Sequence, residues 1–154
     1  FGNTAVNFCL IMMSEASWRK NRVKNMRSKF KDLQKTLPLF TYGTLQLPRI
    51  QSIFFNRIIP IHPCSLRDYS TLFIGDYLNI YPNPGGIVEG RLLWLNEKEW
   101  TICDLWEDYP NLYSKKVISA YSKKTPEIDY KALCYYCKIH HRVVICRPFR
   151  AGFV

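Results

Sequence analysis

At 154 residues and 47% hydrophobic composition, with ten Tyr, nine Phe and four Trp, the chain can bury one domain-sized core. Its formal charge of +10 points to nucleic acid or a membrane surface, but the excess sits on the flanks. Residues 1–36 hold eight Lys and Arg against Glu15 and Asp32, residues 138–154 hold four against none, and 37–137 balances ten against ten. The six cysteines are irregularly spaced in a long chain, unlike a small secreted disulfide framework, and read as reduced thiols of a cytoplasmic protein.

In chain order, the apolar residues 5–13 are too short to span a membrane. They also lack the basic segment and the small-residue cleavage site of a secretory signal. Residues 14–36 are basic, with Val23, Met26, Phe30 and Leu33 at spacings that suit one stripe of an amphipathic helix. Such a helix could lie on RNA or an anionic membrane, or simply form a surface extension.

Leu37-Pro-Leu-Phe-Thr-Tyr-Gly-Thr-Leu45 reads as a short buried strand that breaks into a tight loop at Gly43. With no Cβ, Gly43 lets the backbone approach a ligand and turn its N–H groups toward it. Pro48 suits the first position of a helix whose apolar face carries Ile50, Ile53 and Phe54, in step with Arg57. Pro60, Pro63 and the polar 65–70 region predict short strands and turns, and Tyr81-Pro-Asn-Pro-Gly-Gly86 predicts a turn. Residues 87–95 then read as a strand in which Gly90 marks a bulge or the close approach of another group.

Asn96 and Glu99 form a capping-box signature for a helix running to about Asp108, ahead of Pro110. Its inward stripe is predicted to be Trp100, Cys103, Asp104 and Glu107. Glu107 thus falls where the periodicity asks for an apolar residue. A partly desolvated carboxyl has a raised pKa and suits acid–base work near neutral pH. The alternative is an exposed or salt-bridged glutamate at a fraying helix end. Two strands follow, 113–122 and 130–139, joined by a turn at 123–127. The tail after them is basic and shows no catalytic pattern.

Cys134, Cys137, His141 and Cys146 come near a zinc-knuckle spacing. Strand positions i and i+3 point to opposite faces, however, and the glycine loop of a knuckle is missing. No metal is assigned. Walker A, dinucleotide, His-Glu-x-x-His and Gly-x-Ser-x-Gly motifs are absent.

The Tyr42-Gly43-Thr44-Leu45 loop, Val88-Glu-Gly90, Asp104-x-x-Glu107 and Tyr113-Ser-Lys115 occur in an order that resembles the γ-glutamyl cyclotransferase-like superfamily. Its γ-glutamylamine cyclotransferase and plant avirulence-induced-gene branches are the most similar. Cys103 replaces the family's usual Leu before Asp104, and Lys115 replaces its Arg. Lysine keeps the charge without the fork geometry, and cysteine is a small buried hydrophobe, so neither change removes the proposed base.

The resemblance covers roughly residues 37–138 and implies an α+β fold, a small mixed β-barrel with a few flanking helices. Residues 1–36 would be a basic extension and 139–154 a basic tail. It also implies that the α-amine of a γ-glutamyl amine or peptide attacks its own γ-carbonyl, releasing 5-oxoproline and an amine without metal or cofactor. Glu107 would be the general acid/base. Tyr42, Gly43, Thr44, Leu45 and Tyr113 would bind the substrate, with Tyr113 orienting it or Glu107. A binding module of the same fold that has lost turnover, and a nucleic-acid or membrane-surface binder acting through the flanks, are the other readings.

Overall fold

The computed structural model describes residues 28–137, together with Lys20, Arg22 and Lys24. The apolar stretch at 5–13, most of the basic N-terminal segment, the tail from 138 and the zinc-knuckle candidates His141 and Cys146 lie outside the described residues. Five strands form a closed barrel: β1 (Leu39–Thr41), β2 (His62–Ile74), β3 (Tyr77–Leu93), β4 (Tyr113–Ser122) and β5 (Thr125–Cys137). The helices α1 (Pro48–Phe55) and α2 (Glu97–Trp106) flank it. Around the barrel the order is β1-β3-β2-β4-β5, with β1 closing the ring by parallel pairing to β5 and every other seam antiparallel. The architecture is thus α+β with a small mixed barrel, as the resemblance implies.

Strand alternation divides the core into two clusters. Phe40, Cys64, Val88, Ile118 and Ala132, one from each strand, meet in a single buried cluster that fills the barrel. Leu39 and Leu133, next to Phe40 and Ala132, and Leu93, next to Leu92 of the same cluster, belong to a second cluster with Trp100 and Cys103 of α2, outside the barrel wall. Gly90 is the close approach its position predicts: a Cβ there would lie 2.5 Å from the Thr41 carbonyl oxygen and 2.6 Å from the Phe40 ring. The last turn of the basic N-terminal segment joins this outer core. Phe30 is buried in it, Leu33 packs against it, and the Trp100 indole N–H donates to the Gln34 carbonyl at 3.0 Å.

The largest departure from the sequence reading is the 60–93 region. The prolines predict short pieces, but β2 and β3 are one long hairpin that turns at Gly75 and Asp76. The predicted 81–86 turn becomes an irregularity within β3. Arg67 pairs Ile87 and Tyr69 pairs Pro82, leaving residues 83–86 opposite Asp68. The Gly85 N–H donates to Asp68 Oδ1 and the Asn83 amide to Ser70 Oγ, while a Cβ on Gly86 would come within 2.4 Å of the Tyr69 carbonyl oxygen. Local turn chemistry is present and the long-range ladder absorbs it.

Smaller corrections follow the same logic. α1 begins at Pro48 as expected, but Ile53 is exposed and the buried position is Gln51. Arg57 lies beyond that helix. α2 ends at Trp106, so Glu107 is its C-cap residue rather than part of its last turn. The predicted 123–127 turn shrinks to residues 123–124, and β5 starts at Thr125.

Candidate active site

β1 delivers the Tyr42–Leu45 loop. After Thr41 the chain leaves the sheet and Thr44–Gln46 forms one turn of 3-10 helix capped by Gly43. The Gln46 and Leu47 N–H groups donate back into the turn, to the carbonyls of Gly43 and Thr44. Those of Gly43, Thr44 and Leu45 have no acceptor among the described residues. The loop is fixed from behind by Gln51, whose amide donates to the Leu45 carbonyl at 2.9 Å and accepts from the Ile59 N–H at 3.0 Å. A polar residue on the inward face of α1 was the sequence signal for this clamp, and the apolar periodicity hid it.

α2 delivers Glu107 from its C-terminal end. The capping box is realised: Asn96 Oδ1 accepts from the Glu99 N–H, and Glu99 Oε2 accepts from the Asn96 N–H, both at 2.9 Å. Asp104, one turn before Glu107, accepts from Tyr135 Oη and pairs with Lys115 Nζ at 2.5 Å. The Lys115 ammonium is buried against the Tyr109 ring, 4.1 Å from its centroid. Burial lowers this ammonium's pKa, and Asp104 opposes that shift. So Lys115 is a buried cation that ties β4 to α2. No local pattern shows this, because its three members come from three elements.

The loop and Glu107 face one cavity of about 1030 Å³, which Tyr113 and Tyr135 also line. All six sequence-derived site residues, Glu107, Tyr42, Gly43, Thr44, Leu45 and Tyr113, border it. That volume lies at the upper end of the roughly 300–1,000 Å³ usual for small-molecule sites. A smaller cavity of about 530 Å³ on the other flank of α2 contains none of the six.

Within the large cavity, Glu107 stands out electrostatically. It is mostly buried, and no donor among the described residues hydrogen-bonds its carboxyl. Burial therefore acts unopposed and pushes its pKa up to about 7. Tyr42 Oη donates to the Tyr135 carbonyl at 3.0 Å, and Tyr113 Oη donates to the Leu78 carbonyl at 2.7 Å rather than to Glu107. Burial, with Glu107 nearby, raises both phenols well above their ordinary range, so each stays protonated. The sequence reading missed the hairpin tip: Phe73, Asp76, Tyr77 and Leu78 also line this cavity. Nothing local marks them, because the β2–β3 pairing carries them there.

Among the described residues, no group of His, Cys, Asp and Glu is arranged to hold a metal ion, and no helix is long and apolar enough to cross a membrane.

The family model described as γ-glutamyl cyclotransferase, AIG2-like matches residues 39–147. No curated protein sequence matches the chain. Several solved structures share the fold. A solution structure from Arabidopsis thaliana superposes with a TM-score of 0.57 at 19% identity, over 66% of this chain and 61% of that one. A structure titled γ-glutamyl cyclotransferase gives 0.58 at 14% identity, over 66% of each chain. An AIG2-like protein from Mus musculus gives 0.53 at 19% identity, over 65% of this chain and 76% of that one. The chain thus spans less than two thirds of the first two, and at these identities the likeness speaks for the fold alone. The sequence-model match covers most of the chain, and the chain belongs to the γ-glutamyl cyclotransferase, AIG2-like family.

Proposed function

We propose that this protein is a γ-glutamyl cyclotransferase whose catalytic domain spans residues 37–138 and whose general acid/base is Glu107. The observation that carries this reading is a mostly buried carboxyl with no donor among the described residues, held near pKa 7, bordering the same cavity as Gly43, Thr44 and Leu45, whose backbone N–H groups have no acceptor among those residues. A carboxylate near that value can both take and return a proton at neutral pH. The N–H groups of Gly43, Thr44 and Leu45 suit an anionic group of the substrate or the oxyanion that develops on the γ-carbonyl.

In the proposed cycle, Glu107 takes one proton from the α-ammonium. The freed amine attacks the γ-carbonyl carbon, closing a five-membered ring and placing the charge on oxygen. Glu107 returns its proton to the amide nitrogen as the old C–N bond breaks and the carbonyl reforms. The extra proton on the ring nitrogen passes to the released amine, leaving 5-oxoproline and an ammonium ion. Because the nucleophile and electrophile belong to one molecule, the site contributes mainly positioning and proton transfer. Tyr42 and Tyr113, protonated and anchored to backbone carbonyls, serve as walls. The four described cysteines are free thiols, which fits a cytoplasmic setting.

The test is release of 5-oxoproline from a panel of γ-glutamyl amines and dipeptides. Turnover that Glu107→Gln abolishes supports the reading. A ligand that stabilises the wild type without being consumed, with no release across the panel, overturns it in favour of a binding module.

A further inference from the structure

Two anchors bracket the Tyr42–Leu45 loop. At its start, Tyr42 Oη donates to the Tyr135 carbonyl at 3.0 Å. At its end, the Leu45 carbonyl accepts from Gln51 Nε2 at 2.9 Å. No backbone N–H among the described residues donates to that carbonyl. The 3-10 turn uses the carbonyls of Gly43 and Thr44, and Pro48, next in line for Leu45, has no N–H to offer. Gln51 supplies the missing donor, and its own side-chain oxygen is fixed by the Ile59 N–H at 3.0 Å. Gln51, Leu45 and Ile59 are each 2% exposed, so both bonds lie away from water. Gly43, by contrast, has room to turn: a Cβ there would meet no atom within 4 Å apart from its chain neighbours.

We infer that Gln51 is a positioning residue of the site, which aims the N–H groups of Gly43, Thr44 and Leu45 by fixing the peptide that follows Leu45. This rests on the cyclotransferase reading of the same cavity. Gln51 does not line that cavity, so it acts through Leu45 and not on the substrate. Backbone donors stabilise charge only while they point where it appears, and a displacement of about 1 Å can cost about 10²-fold in rate. Without the Gln51 amide, a buried carbonyl is left unpaired. The loop can relieve that by turning its peptide units toward solvent, which swings the neighbouring N–H groups away from the substrate.

The experiment measures 5-oxoproline release by the full chain as wild type, Gln51→Met and Gln51→Glu, on the best substrate of the γ-glutamyl panel, with melting followed on the same samples. Methionine is close to glutamine in shape but bonds neither partner. Gln51→Met is expected to lose about ten- to a hundredfold in kcat/KM well below its own melting transition. Gln51→Glu is the conservative control. As a neutral acid its carboxyl can donate to Leu45 and accept from Ile59, whereas as a carboxylate it can only accept. Its kcat/KM relative to wild type should exceed that of Gln51→Met and rise as pH falls; dividing by wild type cancels the titration of Glu107. A purely structural Gln51 would lower the melting point and leave the kcat/KM of folded protein unchanged. That result in Gln51→Met, or a Gln51→Glu ratio that does not change with pH, overturns the inference while the cyclotransferase reading stands. Where Gln51→Met does not fold, the pH dependence of Gln51→Glu decides alone. Wild type that releases no 5-oxoproline from any member of the panel overturns both.

Discussion

Glu99 and Glu107 stand at opposite ends of α2 in opposite circumstances. The Glu99 side chain is only 5% exposed, yet its oxygens are saturated. They accept from Arg57 Nε at 2.6 Å, Arg57 Nη2 at 2.9 Å and the Asn96 N–H at 2.9 Å. Burial raises its pKa, and these bonds more than offset that, holding it below the ordinary carboxylate value. Glu107 looks onto an open cavity, but it sits deeper in apolar protein and accepts from no donor among the described residues. Covering and depth are different things. Glu99 is covered by its own partners near the surface, whereas Glu107 lies deep with none. What separates the two carboxylates here is the supply of donors.

The sharpest way to test the contrast is to remove each charge in turn. Glu107→Gln should cut 5-oxoproline release by about 10²–10⁴-fold, the usual worth of a positioned acid–base group. Its circular dichroism and melting should stay those of a folded protein. Glu99→Gln should do the reverse, lowering stability while leaving kcat/KM within about twofold wherever the variant is folded. Turnover that survives Glu107→Gln would remove the distinction.

The two carboxyls should also respond to pH with opposite signs. The Glu107 pKa is raised from an ordinary 4.5 to about 7, so the folded state holds its proton more tightly than the unfolded chain does. Its contribution to stability is full below pH 4.5 and is lost as pH rises through about 7. The change amounts to at most about 3 kcal/mol. Glu107→Gln removes that titration, so its stability relative to wild type should climb between these values and then level off. Glu99 has a lowered pKa, so its contribution is present above the ordinary carboxylate value and lost as pH falls. Urea unfolding of wild type, Glu107→Gln and Glu99→Gln from about pH 2.5 to about pH 8.5 would measure both slopes. A flat difference for Glu107→Gln would mean that its carboxyl is solvated.

Next in size is the partner of Glu99. Arg57→Met should destabilise the protein by about 1–2 kcal/mol, read as a lower urea midpoint. Breaking a fully buried pair costs about 3–5 kcal/mol. Arg57 is 43% exposed, so water can reach the carboxylate it leaves and the cost is smaller. A loss near the buried value would mean that the pair is drier than its exposure implies.

The same contrast explains what was legible in the sequence. Asn96 and Glu99 are three residues apart on one helix start, and the capping box they spell forms as read. Glu107 was visible because it broke an apolar period, and Gly43 because a strand needed a way to turn. β4 was read at its true bounds, Tyr113–Ser122, since alternation is a local signal. The long β2–β3 hairpin was not, because Pro63, Pro82 and Pro84 are local turn signals that tertiary pairing overrides. Everything that depends on that hairpin, Asp76, Phe73 and Tyr77 included, was therefore hidden. Gln51 was hidden for another reason. Its hydrogen bonds run to Leu45 and Ile59, which the fold rather than helical spacing brings to it.

The smallest expected effect separates the two ends of α2 most cleanly. Asn96→Ala removes the side chain that accepts the Glu99 N–H and should cost about 1 kcal/mol, the usual worth of an N-cap. Because the Glu99 carboxylate answers both the Asn96 N–H and Arg57, the cap and the ion pair act on one group. The double variant Asn96→Ala/Arg57→Met should therefore depart from additivity by about 0.5 kcal/mol or more. The direction follows from the shared partner: once Arg57 is gone, Glu99 is freer to move and the cap has less order left to lose. Strict additivity in urea unfolding would mean that the cap and the ion pair act independently. None of this should reach the far end of the helix. Glu107 is held by the packing of Trp100 and Cys103 and by the Asp104–Lys115 pair, all C-terminal to the cap. With kcat/KM measured well below the melting transition, Asn96→Ala should match wild type. A parallel loss of activity would show that the cap positions Glu107 and that the two ends of α2 work as one unit.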